Sequence, residues 1–152
     1  MQNLQRAASF LEQNQSVKLL KKSSLYETAP WGDSDQDAFL NQAWIIETSL
    51  SPFQILHLIK DIEVQVGRVN TRRWGPRVID IDILFYGDLI LNTETLTIPH
   101  AEIQNRSFAL IPTSEIAPKW KDPRNKKTVE ELQKICPDTL KVSKIEVSEN
   151  AV

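Results

Sequence analysis

Apolar positions along this chain switch between helical and strand spacing, and each switch marks an element. Leu4, Ala7, Ala8 and Leu11 recur at helical intervals, which predicts an amphipathic helix ending near Asn14. Val17 to Tyr26 suits a strand, loosened by the polar run Lys21-Lys22-Ser23-Ser24. Thr28 to Asp37 reads as a loop from its Pro, Gly, Asp and Ser content, and Phe39 to Thr48 as a second strand. Ser51-Pro52 opens a helix, with serine as N-cap and proline at the first helical position. Ile55, Leu58, Ile59 and Ile62 form the buried stripe of that helix, and Gly67 stands where a left-handed C-terminal cap is expected. A polar loop from Arg68 to Arg77 leads into an apolar strand over 78–86, and Gly87-Asp88 turns the chain back through Leu89, Ile90 and Leu91 as a hairpin partner. Phe108 lies at a helix start, Thr128-Val-Glu-Glu131 is a capping-box signature for a short helix ended by Cys136-Pro137, and Val142 to Val147 has weak strand character.

The chemistry concentrates where the arginine loop meets the apolar strand. Successive strand side chains point to opposite faces, so Val78, Asp80, Asp82 and Leu84 share one side and Ile79, Ile81, Ile83 and Phe85 the other. The two carboxylates then stand roughly 6.5 Å apart at their α-carbons by the strand rise. Two like charges on an apolar strand are costly unless something neutralises them. A hard divalent cation is one answer, because magnesium takes one or two protein carboxylates and completes its shell with water and phosphate oxygens. Arg68, Arg72, Arg73 and Arg77 beside it are suited to those phosphates. The other answer is a structural salt-bridge cluster of Asp80 and Asp82 with Arg77 and Arg73. Glu63, near the end of the preceding helix, borders this loop; its plainest reading is an exposed helical carboxylate.

Bulk properties narrow the function classes. At 152 residues the chain is expected to be one domain, 1–152, with one core. A formal net charge of -2 argues against a dedicated nucleic-acid binder, so the arginine cluster marks a local site. Cys136 is the only cysteine, which excludes an intramolecular disulfide and suits a reducing, cytoplasmic setting. No basic, then apolar, leader opens the sequence and no apolar run reaches membrane-spanning length, so neither secretion nor membrane insertion is expected.

Several blocks, in order and spacing, carry a resemblance. Tyr26-Glu-Thr-Ala-Pro30, Phe39-Leu-Asn41, Gly67-Arg68, Arg73-Trp-Gly-Pro-Arg77, Asp80-Ile-Asp-Ile-Leu-Phe-Tyr-Gly87, Ile98-Pro-His100, Asn105-Arg-Ser-Phe108 and Glu115-Ile-Ala-Pro118 span most of the chain. Together they resemble the 6-hydroxymethyl-7,8-dihydropterin pyrophosphokinases of folate biosynthesis. The resemblance implies an α+β fold, a ferredoxin-like α/β sandwich in which helices pack on an antiparallel sheet. It also implies transfer of pyrophosphate from ATP to the pterin hydroxymethyl group, with two Mg2+ ions as cofactors and AMP as the leaving product. Residue by residue, Asp80 and Asp82 match the metal ligands, and Arg68, Arg77, His100 and Arg106 match phosphate-binding groups. Thr28, Ala29, Phe39, Asn41, Trp74 and Phe108 match the pterin-binding set, with Phe39 and Phe108 on opposite faces of the ring. Singly, each phenylalanine reads equally as core, Asn41 as a residue bonding to backbone, and His100 as a turn residue. A monomer is expected if the sheet is complete.

The chain also departs from that pattern. The family's N-terminal strand and Gly-Ser-Asn turn are not found before the first helix, and Val142 to Val147 is a candidate for filling part of that place. Ala101 and the pair Asn70-Thr71 stand where relatives often carry an aromatic or basic residues. Two rival expectations follow. One is a silent or truncated relative that binds nucleotide or pterin weakly; the other is a ferredoxin-like RNA-binding module, which the acidic pair opposes.

Overall fold

A computed structural model of the chain describes residues 2–28, 39–69 and 79–145. It is an α+β structure, mixing helices with short antiparallel strands. The chain divides into two compact units, one of Met1–Leu20 with Ile46–His100 and the other of Lys21–Ile45 with Ala101–Val152.

In the first unit, helix α1 (Gln2–Glu12) packs on helix α2 (Pro52–Val69). Ala7, Ala8 and Leu11 are buried on α1, and Ile55, Ile59, Ile62 and Val66 on α2, at the intervals of four and three that place residues on one helical face; Leu58, expected in that stripe, lies at its margin and is half-buried. The start of α2 is capped by Ser51, as its sequence suggests, the Gln54 backbone N–H donating to Ser51 Oγ; the Ser51 N–H donates in return to Gln54 Oε1. Its end differs from the expectation. Gly67 lies inside α2 without a left-handed backbone, so the helix runs on to Val69 and Gly67 is not its cap. β5 (Leu91–Asn92) pairs antiparallel with β6 (Thr97–Ile98), burying Leu96 and Ile98.

The hairpin expected between 78–86 and Leu89–Leu91 is therefore replaced by a smaller one further on. The strand expected over 78–86 is likewise not a ladder strand among the described residues 79–86. The Ile81 N–H donates to a side chain, Glu63 Oε2, and the Leu84 carbonyl accepts from the His100 N–H. The alternation survives nonetheless, with Ile79, Ile81 and Ile83 half-buried and Asp80 and Asp82 exposed.

The two long strands expected before α2 each break in two. β1 (Val17–Lys22) pairs with β4 (Trp44–Thr48), while β2 (Tyr26–Thr28) pairs antiparallel with β3 (Phe39–Asn41) on one side and β7 (Val142–Lys144) on the other. The break is held by Ser23, whose N–H donates to the Ala43 carbonyl and whose Oγ accepts the Ala43 N–H. That exchange occupies the backbone at both corners and lets each chain segment change partners. Thr28, expected at the start of a loop, is the last residue of β2.

In the second unit, helix α3 (Ser107–Ile116) packs on α4 (Val129–Ile135) and on β2, β3 and β7. Ile103, Leu110, Ile116, Val129 and Leu132 form the core there. The capping box of α4 is present in both directions, between Thr128 and Glu131. Asp122 is fully buried, and its carboxylate accepts from the Arg124 backbone and guanidinium, closing the turn before α4.

Candidate active site

The expected site residues fall in both units, and each unit gathers its own group. In the first, Asp80 and Asp82 are both exposed, flanking half-buried Ile81. The backbone between them is fixed from α2: Glu63 Oε2 accepts the Ile81 N–H at 2.8 Å. Only 14% of the Glu63 side chain is exposed, and Oε1 faces Lys60 Nζ at 3.3 Å. The plain reading of Glu63 as an exposed helical carboxylate is thus corrected. It is a bracket between α2 and the acidic segment, and no local motif announces it because its partner lies 18 residues away. The backbone of His100 is tied to the same segment through Leu84. Arg68 falls in the last turn of α2. Ala29, Trp74 and Arg77, and the Arg73 of the salt-bridge alternative, lie outside the described residues.

The donor set at Asp80 and Asp82 is oxygen only, exposed, and free of competing thiol or imidazole ligands in the segment itself. That suits a hard, partly hydrated cation such as Mg2+. Among the described residues no group of three or more His, Cys, Asp and Glu side chains gathers.

The second unit assembles the remaining residues. Tyr26 pairs with Asn41 and Thr28 with Phe39, and the alternation of strand side chains puts all four on one face of the sheet. Asn41 Nδ2 donates to Thr28 Oγ1 at 2.7 Å, and Thr28 is only 4% exposed. With one N–H given to Thr28, the amide still carries Oδ1 and a second N–H, the acceptor and donor that the polar edge of a heterocycle needs. Phe39 is 56% exposed, a large apolar ring presented to solvent beside that amide. At the start of α3 the Arg106 guanidinium lies over the Phe108 ring, 5.7 Å from its centroid. The two residues therefore form one charged and aromatic corner.

At its Tyr26 end this face is tied to α3 through Glu115. Its carboxylate accepts from Ser24 N, Ser24 Oγ and, at 2.6 Å, the Tyr26 hydroxyl. Burial, then the bond to Glu115, pushes the Tyr26 phenol up to about 12. Burial raises Glu115 too, but the hydrogen bonds from Tyr26 and Ser24 outweigh it and hold the carboxyl below its ordinary value.

Similarity to known proteins gives this arrangement its family. The profile of one group of pyrophosphokinases, 7,8-dihydro-6-hydroxymethylpterin-pyrophosphokinase (HPPK), matches residues 1–118. The 2-amino-4-hydroxy-6-hydroxymethyldihydropteridine pyrophosphokinase of Methylorubrum extorquens is 46% identical over 112 residues, covering 74% of this chain and 71% of the relative. The Bacillus subtilis protein of the same name is 45% identical over 113 residues, covering 74% and 68%. The folic acid synthesis protein fol1 of Schizosaccharomyces pombe is 41% identical over 117 residues, 77% of this chain and 16% of that longer protein. The chain belongs to the HPPK family. All of the expected site residues lie within the matched span.

Proposed function

We propose that this chain transfers the pyrophosphoryl group of ATP to the hydroxymethyl oxygen of 6-hydroxymethyl-7,8-dihydropterin, an enzymatic step of folate biosynthesis. Family membership across residues 1–118, with the Asp80-x-Asp82 pair inside that span and open to solvent, is the observation that carries the reading.

Asp80 and Asp82 supply the oxygen donors that hold two Mg2+ ions. When bound, these supply Lewis acidity and neutralise phosphate charge. Arg68, Arg77, His100 and Arg106 bind the triphosphate and offset negative charge as it redistributes. The amide of Asn41, with backbone groups of Thr28 and Ala29, pairs with the polar edge of the pterin. Phe39 and Phe108 take the two faces of the ring, and Trp74 closes over the bound substrates and excludes water. The pterin hydroxymethyl oxygen forms a bond to the β-phosphorus, the bond from that phosphorus to the α,β-bridging oxygen breaks, and AMP leaves. The hydroxyl proton passes to a carboxylate oxygen of Asp80 or Asp82. Catalysis on this account is positioning plus charge stabilisation. The chain acts as a single cytoplasmic, monomeric pyrophosphokinase domain. Among the described residues no helix is long and apolar enough to cross a membrane.

The test is product identity. Incubation with ATP, Mg2+ and the pterin should give AMP and a pterin diphosphate one for one. ADP as the product, or AMP formed equally without pterin, would contradict the reading.

A further inference from the structure

Helix α3 carries Arg106 and Phe108 at its start, yet its own N-cap residue, Arg106, makes no side-chain capping bond. The cap comes from elsewhere. Asp138, in the segment after α4, accepts the Ser107 N–H at 3.1 Å and the Ser107 hydroxyl at 2.9 Å through Oδ2. Its other oxygen, Oδ1, accepts the Leu140 N–H at 2.9 Å. Ser107 is 7% exposed and sits between Arg106 and Phe108, so holding its backbone and side chain holds the two flanking residues.

The same carboxylate starts the run into β7, whose Val142 pairs with Thr28 of β2. A short path of hydrogen bonds and strand pairing thus leads from the Arg106–Phe108 corner, through Ser107 and Asp138, to β7 and β2. β2 is the strand whose Thr28 fixes the Asn41 amide. We propose that Asp138 is a positioning residue, fixing the Arg106–Phe108 corner relative to the sheet face that bears Thr28, Phe39 and Asn41. The inference rests on the reading of Arg106 and Phe108 as substrate contacts, and it assigns a role to a residue beyond the span matched by the family.

An anionic oxygen on the first-turn N–H groups is a strong cap, since charge-assisted bonds are stronger than neutral ones and the helix dipole favours them. Without it the first turn of α3 frays, and Arg106 and Phe108 lose a fixed direction before substrate arrives.

The experiment compares wild type with Asp138→Ala, Asp138→Asn and Ser107→Ala. Asp138→Ala should raise the apparent KM for both pterin and ATP about tenfold while kcat stays within about threefold. Amide exchange across 107–110 should quicken by about tenfold. Ser107→Ala keeps the backbone bond, and Asp138→Asn keeps an acceptor; each should move KM by about threefold. These milder variants decide the matter if Asp138→Ala fails to fold. Val129→Ala, in the buried core of α4, controls for stability: it should lower the melting temperature and leave both KM values unchanged.

Wild-type KM values in all three variants, with wild type active, would overturn this inference alone. If wild type formed no AMP, the proposed reaction would fall. Pterin quenching of intrinsic fluorescence would then read the hold directly, and equal affinity in wild type and Asp138→Ala would overturn the inference as well.

Discussion

Replacing Glu63 by alanine probes how the acidic pair is held. Its carboxylate makes two contacts of unequal weight. The pair with Lys60 at 3.3 Å involves an ammonium group whose side chain is 57% exposed, and solvent leaves such a pair worth about 0–1 kcal/mol. The bond from the Ile81 N–H is 2.8 Å long, and only 14% of the glutamate side chain is exposed. Hydrogen bonds to charged groups contribute about 1.5–3 kcal/mol, and half-buried Ile81 places this one at the lower end. Glu63→Ala should therefore destabilise the fold by about 1.5 kcal/mol, read by urea unfolding. If the same free energy is withdrawn from the geometry of Asp80 and Asp82, the Mg2+ concentration for half-maximal AMP release rises about tenfold. Glu63→Gln keeps an acceptor for Ile81 and removes the charge, so it separates bracing from electrostatics and should retain most of the wild-type Mg2+ dependence. Lys60→Ala should change neither quantity appreciably. A Glu63→Ala protein with wild-type stability and an unshifted Mg2+ profile would refute the bracket.

Three further outcomes follow from the second unit. Thr28→Val removes the oxygen that accepts from Asn41 and should raise the pterin KM about tenfold at unchanged ATP KM, with Thr28→Ser restoring it; equal KM values for Val and Ser would contradict this. Asp122→Ala leaves the Arg124 guanidinium without its buried partner and should cost about 3 kcal/mol in urea unfolding, whereas a loss below about 0.5 would contradict the assignment. For pH, burial pushes Glu115, Asp122 and Asp138 upward but their hydrogen bonds win, so each carboxyl lies below its ordinary value in the folded chain. The unfolded chain then binds more protons in acid, so their stabilisation is present above the ordinary values of 4.5 and 3.8 and is lost as pH falls through the folded ones. Tyr26 acts oppositely, with stabilisation present below its ordinary 10.0 and lost as pH rises through about 12. Urea midpoints across pH should fall at both ends, and Glu115→Gln should flatten both limbs.

What the sequence reveals about this fold follows from how local each cause is. The starts of α2 and α4 are written locally: Ser51 caps α2 as expected, with Gln54 adding a return bond, and Thr128 and Glu131 form the expected box. The buried stripe of α2 follows from helical spacing at Ile55, Ile59 and Ile62, while Leu58 at its margin stays half-buried. The strand breaks at Ser23 and Ala43 depend on an exchange between residues 20 apart, which no window of periodicity contains. Gly67 misleads because glycine permits a left-handed cap without requiring one, and the helix simply continues through it. Asp80 and Asp82 were legible as an alternating pair, since exposure there follows side-chain period. The ladder was not, because Ile81 gives its N–H to Glu63 instead of a neighbouring strand. Reading along the chain places Glu63 beside the arginine loop without its role as a bracket, and passes over Asp138 altogether. Each is an ordinary carboxylate until the partner 18 or 31 residues away is known.

The central claim is that this chain moves pyrophosphate through the acidic pair. The most direct measurement is AMP release from ATP and 6-hydroxymethyl-7,8-dihydropterin with Mg2+ present, for wild type beside Asp80→Asn and Asp82→Asn. Both side chains are exposed, so the variants should fold and melt like wild type. The account predicts pterin-dependent AMP release by wild type and a loss of about a thousandfold or more in each variant. Variants that keep wild-type turnover, folded and in the same Mg2+, would show that the pair does not hold the metals and would contradict the account.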